Sequence, residues 1–241
     1  MAYMKRAIIP TILVQDRLEF VRRLGIMQGK ISMAQMDIMD GKFVKNTTFT
    51  DPKIATKYSV DYELDLMVKD PGPVLDAWKN VPTVKRAFVH VEIKKPLAPF
   101  LKKIKSYGWE AGIAINPDTE WEVAEPYLAP HPPLSRGERV AGGRVRGGGL
   151  IDSVLFMTVY PGQNAALFQP QVIPKIAQFH KAYPKMIIEV DGGVNETTLP
   201  LLLKVGVARF AVGSAIWGAP DPIKAYKKLL KVVRHFGDSV Y

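Results

Sequence analysis

Short apolar runs recur along this chain at regular intervals: AIIPTILV over 7–14, ISMAQMDIM over 31–39, VDYELDLMV over 60–68, RAFVHVEI over 86–93, EAGIAIN over 110–116, IDSVLFMTV over 151–159, MIIEVD over 186–191 and RFAVGS over 209–214. Their length and β-branched content predict strands. Most are followed by stretches whose apolar positions repeat at helical spacing, over 16–27, 96–108, 119–128, 170–183, 195–206 and 221–236. The link after the second run is less regular and predicts only a short helix near Asp51–Tyr58. Asp118-Thr119, Asn195 and Asp221-Pro222 stand where helices are predicted to start, supplying a capping side chain or a proline. Strands alternating with helices make a parallel sheet, and runs this apolar suit strands covered on both faces. Eight such units in a chain of 241 residues predict an α/β fold of the (β/α)8 TIM-barrel type, one domain over 1–241. An open doubly wound sheet is the second choice. It is disfavoured because no glycine-rich turn follows the first strand.

One segment breaks the rhythm. Residues 129–149, APHPPLSRGERVAGGRVRGGG, are rich in arginine and glycine and nearly devoid of core-forming side chains. Such a composition cannot offset its own ordering entropy, so a flexible insertion before the sixth strand is expected. Its RVRGGG end resembles Arg-Gly RNA-binding tails only weakly, and no basic stripe with interleaved aromatics accompanies it, so nucleic acid is not expected as a partner.

Composition narrows the field further. The chain has no cysteine, which removes disulfides and thiolate ligands and suits a cytoplasmic enzyme. No apolar run approaches the length of a membrane span, and the first residues read as a strand rather than a signal peptide. The net charge of +10 suits a solvated basic surface and the attraction of an anionic substrate. Self-association of the barrel is left open.

In a parallel barrel the chemistry gathers at the C-terminal ends of the strands. Here those ends carry Thr11, Asp37, Met39, Asp40, Asp65, Met67, His90, Glu92, Asn116, Met157, Asp191, Gly213 and Ser214. Any one methionine is ordinary core filler and any one acid an ordinary loop cap. Several acids and methionines converging on one mouth are harder to explain that way. The turns VDGGVN (190–195) and VGSAIW (212–217) bring flexible backbone and free N–H groups to the last two strand ends, as a phosphate cradle requires.

Taken in order, MDGKFVKN, LMVKDP, HVE, AGIAINPDT, MTVYPG, VDGGVN and VGSAIW resemble the ribulose-phosphate 3-epimerase family, barrels of the ribulose-phosphate-binding type that serve the pentose phosphate pathway. The likeness runs from about Ile9 to Trp217, apart from the insertion. It implies an isomerase that inverts C3 of a ketose phosphate, D-ribulose 5-phosphate in the first instance, through an enediolate. It assigns Asp37 and Asp191 as the acid/base pair, one for each face of the intermediate. Gly162, Gly192, Gly193, Gly213 and Ser214 would bind phosphate, and Thr11, Met39, Met67, His90 and Met157 would line the substrate. Asp40 is expected to cap its own turn.

The resemblance also implies a divalent metal held by two histidines and the two aspartates, and here the sequence departs from it. The histidine positions are Gln35 and Asp65. The resulting set, Gln35, Asp37, Asp65 and Asp191, is all oxygen and suits Mg²⁺ or Mn²⁺ better than zinc. Lys42 or Lys69 folding inward is a second way to offset the acids. The segment 161-PGQNAALF-168 keeps Pro161-Gly162 but lacks later glycines, which predicts a differently shaped loop. Two other functions are weighed. A non-catalytic sugar-phosphate-binding barrel would keep the cradle without the chemistry. A decarboxylase would need a D-x-K-x-x-D spacing that DIMDGK and DLMVKD lack.

Overall fold

The computed structural model describes residues 6–128, 149–162 and 167–238. The eight strands are β1 (Ala7–Ile12), β2 (Met33–Met39), β3 (Asp61–Met67), β4 (Val84–His90), β5 (Glu110–Ile115), β6 (Ser153–Met157), β7 (Ile187–Asp191) and β8 (Arg209–Val212). All pair in parallel, in chain order, and β8 closes on β1. The (β/α)8 barrel is therefore present. Most of the 129–149 insertion and the centre of the loop 161–168 lie outside the described residues.

Around the barrel run α1 (Arg17–Met27), α2 (Pro52–Ala55), α3 (Pro71–Trp78), α4 (Ala98–Ser106), α5 (Val172–Ala182), α6 (Leu199–Lys204), α7 (Ser214–Trp217) and α8 (Pro222–Asp238). Two of these, α3 and α7, have no counterpart in the sequence expectation. PGPVLDAW carries two prolines and a glycine, yet proline in a first helical turn sacrifices no hydrogen bond. Asp70 Oδ1 also accepts from Gly72 N at 3.2 Å. Three expected helix starts or helices are corrected. Residues 119–128 form only a 3-10 helix, Trp121–Tyr127, with Pro126 inside it. Asp118 accepts from the Tyr160 hydroxyl at 2.9 Å instead of capping. Asn195 Oδ1 accepts from Thr197 N and Thr198 N in a turn ahead of α6. Asp221 does cap α8, accepting from Lys224 N at 2.9 Å.

Side chains that alternate along the strands fill the barrel in layers. The lowest holds Glu63, Arg86 and Glu189, with Arg86 Nη1 at 3.0 Å from Glu63 and 3.2 Å from Glu189. Above it Phe88, Ala114, Leu155 and Met157 form a small buried apolar cluster. A Cβ on Gly112 would lie 2.3 Å from the Phe88 ring, so the absence of a side chain there makes room for that ring. The register of β2 against β3 places Asp37 opposite Asp65 and Met39 opposite Met67, and β6 against β7 places Met157 opposite Asp191. Asp65 is also level with Phe88, so the acids and the apolar cluster interleave around the barrel.

Candidate active site

A cavity of about 310 Å³ opens at the C-terminal end of the barrel. Eleven of the residues singled out from sequence line it: Thr11, Asp37, Met39, Met67, Met157, Asp191, Gly162, Gly192, Gly193, Gly213 and Ser214. The VDGG turn owes its path to glycine. Gly192 has φ of 107° and Gly193 of 60°, and a Cβ would meet Val159 at 2.3 Å in the first case and Phe168 at 2.8 Å in the second.

Gln35 is fully buried beneath the two catalytic candidates. Its Nε2 donates to Asp37 Oδ1 and to Asp191 Oδ2, both at 2.7 Å, so one amide links two acids from opposite sides of the barrel. Asp37 is fixed through its backbone as well, because its carbonyl accepts from the Thr48 hydroxyl at 2.6 Å. Asp40 turns away from this centre. Its carboxylate accepts from the backbone N–H groups of Lys42, Phe43 and Lys69 at 2.8, 2.9 and 2.8 Å, which shapes the MDGKFV turn and ties it to the end of β3. Asn46 from the same loop donates to the carbonyl of Gly162, joining the loops after β2 and β6.

Two expectations are corrected. His90 does not line the cavity. It is completely buried, with Nε2 at 3.0 Å from Asp65 and Nδ1 at 3.5 Å from Glu92, and its ring packs on Phe43 at 4.9 Å. Lys42 and Lys69 are exposed, and among the described residues neither side chain donates to the acids. The cation beside Asp65 is His90 itself. Burial alone would lower its pKa, but Asp65 and then Glu92 outweigh that and raise it to about 9.

Burial raises Asp37 to about 7, and the nearby charge of Asp65 adds to the effect, while the hydrogen bonds of Gln35 and Thr11 oppose it. Asp191 is raised well above the ordinary range by burial, then by the charges of Asp37 and Asp65. Crowded carboxylates of this kind retain a proton at neutral pH, and the pair titrates as a unit. Oxygens of Asp37, Asp65 and Asp191 all lie within 4.8 Å of one another, close enough to share a metal ion. Gln35 Oε1 and Asp65 Oδ2 are buried with no hydrogen-bond partner. Such orphaned acceptors beside mutually repelling acids are what a cation would satisfy.

The sequence profile of the ribulose-phosphate 3 epimerase family matches residues 7–132 and 148–217. The chain belongs to that family. It is 30% identical over 202 residues to the cytoplasmic isoform of ribulose-phosphate 3-epimerase from Oryza sativa subsp. japonica, covering 82% of this chain and 81% of that protein. It is likewise 30% identical over 232 residues to ribulose-phosphate 3-epimerase of Bacillus subtilis, covering 92% and 97%. Among solved structures, orotidine 5'-monophosphate decarboxylase from Sulfolobus solfataricus shares the fold with a TM-score of 0.61 at 10% identity, over 96% of this chain and 99% of that one. 3-Hexulose-6-phosphate synthase does so with a TM-score of 0.57 at 15% identity, over 91% and 97%. At those identities the likeness is one of fold alone.

Within the ribulose-phosphate 3-epimerase fold, sequence reasoning missed several members of the site. Arg23, Leu13, Val159, Pro161 and Trp217 also line the cavity. Trp217 closes the VGSAIW motif quoted for the cradle, without a role of its own having been assigned. Arg23 sits in an Arg-Arg pair on a surface helix, and nothing in its local pattern points inward. Among the described residues no helix is long and apolar enough to cross a membrane.

Proposed function

We propose that this protein inverts C3 of a ketose phosphate, D-ribulose 5-phosphate in the first instance, with Asp37 and Asp191 as the acid/base pair. The observation that carries this reading is the Gln35 bridge. It holds two carboxylates from β2 and β7 at the floor of one cavity, and their crowding keeps a proton on the pair. Inversion needs that state: one carboxylate free to take the C3 proton, the other protonated to deliver from the opposite face. The glycine turns after β7 and β8 would seat the phosphate, and Met39, Met67 and Met157 would pack the carbon chain. Thr11 would meet a sugar hydroxyl.

Asp37, Asp65 and Asp191 would hold a divalent cation, and Gln35 would offer Oε1 as a fourth oxygen once its amide turns over from the bridging orientation. An all-oxygen set favours Mg²⁺ or Mn²⁺ over zinc. When bound, the cation supplies electrostatic stabilisation of the enediolate. His90 buttresses Asp65 from behind. The binding-only alternative gains nothing from the relatives, which carry the epimerase name.

The test is proton exchange by NMR on D-ribulose 5-phosphate in D₂O, with EDTA, Mg²⁺, Mn²⁺ and Zn²⁺ in turn. Deuterium at C3, fastest with Mg²⁺ or Mn²⁺, is expected. Its absence under every condition would overturn the reading.

A further inference from the structure

The cavity contains an electrostatic problem that the epimerase chemistry does not solve. Asp37 and Asp191 both line it, and a phosphate dianion entering it is repelled by them. Among the described residues that line it, Arg23 is the one cationic side chain. It comes from α1 on the outside of the barrel, and it reaches the mouth between the first and last strands.

Two contacts hold it there. Its Nε donates to Glu19 Oε1 at 2.7 Å. Its guanidinium carbon lies 4.8 Å from the centre of the Trp217 ring, a stacked cation–π arrangement. The Trp217 ring is itself anchored, because its Nε1 donates to the Thr11 carbonyl at 2.6 Å. Glu19 is also held by Arg22, at 2.5 and 2.7 Å, so the cluster of two arginines and one glutamate keeps a net positive charge. With Nε committed, the two terminal nitrogens of Arg23 make no hydrogen bond among the described residues. A flat guanidinium fixed on an aromatic face with its far edge unused is preorganised for a two-point contact with an oxyanion.

Its position suits that contact. Trp217 ends the single turn α7 that Ser214 begins. A Cβ on Gly213 would lie 3.0 Å from Thr11 Oγ1. Arg23, Trp217, Thr11, Gly213 and Ser214 therefore form one continuous wall. Arg23 is also close enough to Asp37 that its charge helps draw the Asp37 pKa down.

We propose that Arg23 recognises the phosphate of the bound substrate through its free guanidinium edge, and so gives the site its preference for a phosphorylated over a neutral ketose. The inference rests on the sugar-phosphate reading above and adds to it a charged residue that acts on specificity rather than on proton transfer.

The test is calorimetric titration of the full chain with D-ribulose 5-phosphate, unphosphorylated D-ribulose and inorganic phosphate, for wild type, Arg23→Met and Arg23→Lys. Loss of a charge-assisted contact weakens binding on the order of ten- to a hundredfold. Arg23→Met is expected to lose that much affinity for the two phosphate-bearing probes and little for D-ribulose, with KM raised and kcat nearly unchanged. Arg23→Lys should recover part of the loss. An unchanged ratio of affinities in Arg23→Met overturns the inference, and so does an equal loss for all three probes, which would mark Arg23 as packing for Trp217. If wild type itself shows no preference for the phosphorylated ketose, the functional reading falls and this inference with it. Should Arg23→Met not fold, Arg23→Gln carries the same comparison.

Discussion

Asp37→Asn should make the protein more stable while removing its chemistry. Burial and Asp65 hold Asp37 at about 7 against an ordinary value of 3.8. An acid raised in the folded state favours folding when protonated. Its contribution is fully present below pH 3.8 and is lost as pH climbs to about 7, after which it stays lost. At about 1.4 kcal/mol per pH unit, that interval amounts to about 4 kcal/mol. An amide cannot ionise and escapes the loss. It retains an oxygen to accept from Gln35 but adds N–H groups that need acceptors, which returns about 1–2 kcal/mol. The expected gain at pH 8 is therefore about 2–3 kcal/mol, shrinking toward zero or reversing at pH 4. Urea unfolding of wild type and variant, in EDTA so that no cation masks the repulsion, measures it at both pH values. Parallel stability curves across that range would refute the reasoning, because they would mean that Asp37 carries no burden from its surroundings.

Three further outcomes follow from the same geometry. Asp191→Asn should abolish inversion at C3 while leaving sugar-phosphate affinity within a few fold, and full activity in that variant would sink the two-aspartate mechanism. Arg86→Met should cost about 3–5 kcal/mol at pH 8, because it leaves Glu63 and Glu189 buried without their shared cation. Chemical denaturation should show a smaller cost at pH 5, since burial and Glu189 already push Glu63 well above the ordinary range. Gly112→Ala, whose new Cβ would stand 2.3 Å from the Phe88 ring, should lower stability by about 1–3 kcal/mol through overpacking, read as a fall in Tm.

The barrel was legible because alternation of apolar runs and helical stretches is a local property, and each strand is buried on both faces. Asp37 and Asp191 were legible as members of a set of strand ends. What linked them was not. The Gln35 bridge joins residues 156 positions apart, and no spacing along the chain encodes that closeness. His90 was placed correctly on its strand, but its direction depended on Asp65, two strand residues that meet only once the register of β3 against β4 is known. Helix α3 was hidden by two prolines and a glycine, residues that signal a loop everywhere except in the first turn of a helix. Arg23 was hidden for a different reason: it lies in an Arg-Arg pair on an outer helix, and its partner Trp217 comes from the far end of the chain.

The apolar cluster of Phe88, Ala114, Leu155 and Met157 does more than fill space beside the acids. With the Gln35 amide it separates the active carboxylates from the charged layer of Glu63, Arg86 and Glu189. The polar line that leaves the acids runs sideways instead, from Asp65 through His90 to the partly exposed Glu92. While a sugar fills the mouth, that line is a side route by which the charge of the acids communicates with solvent.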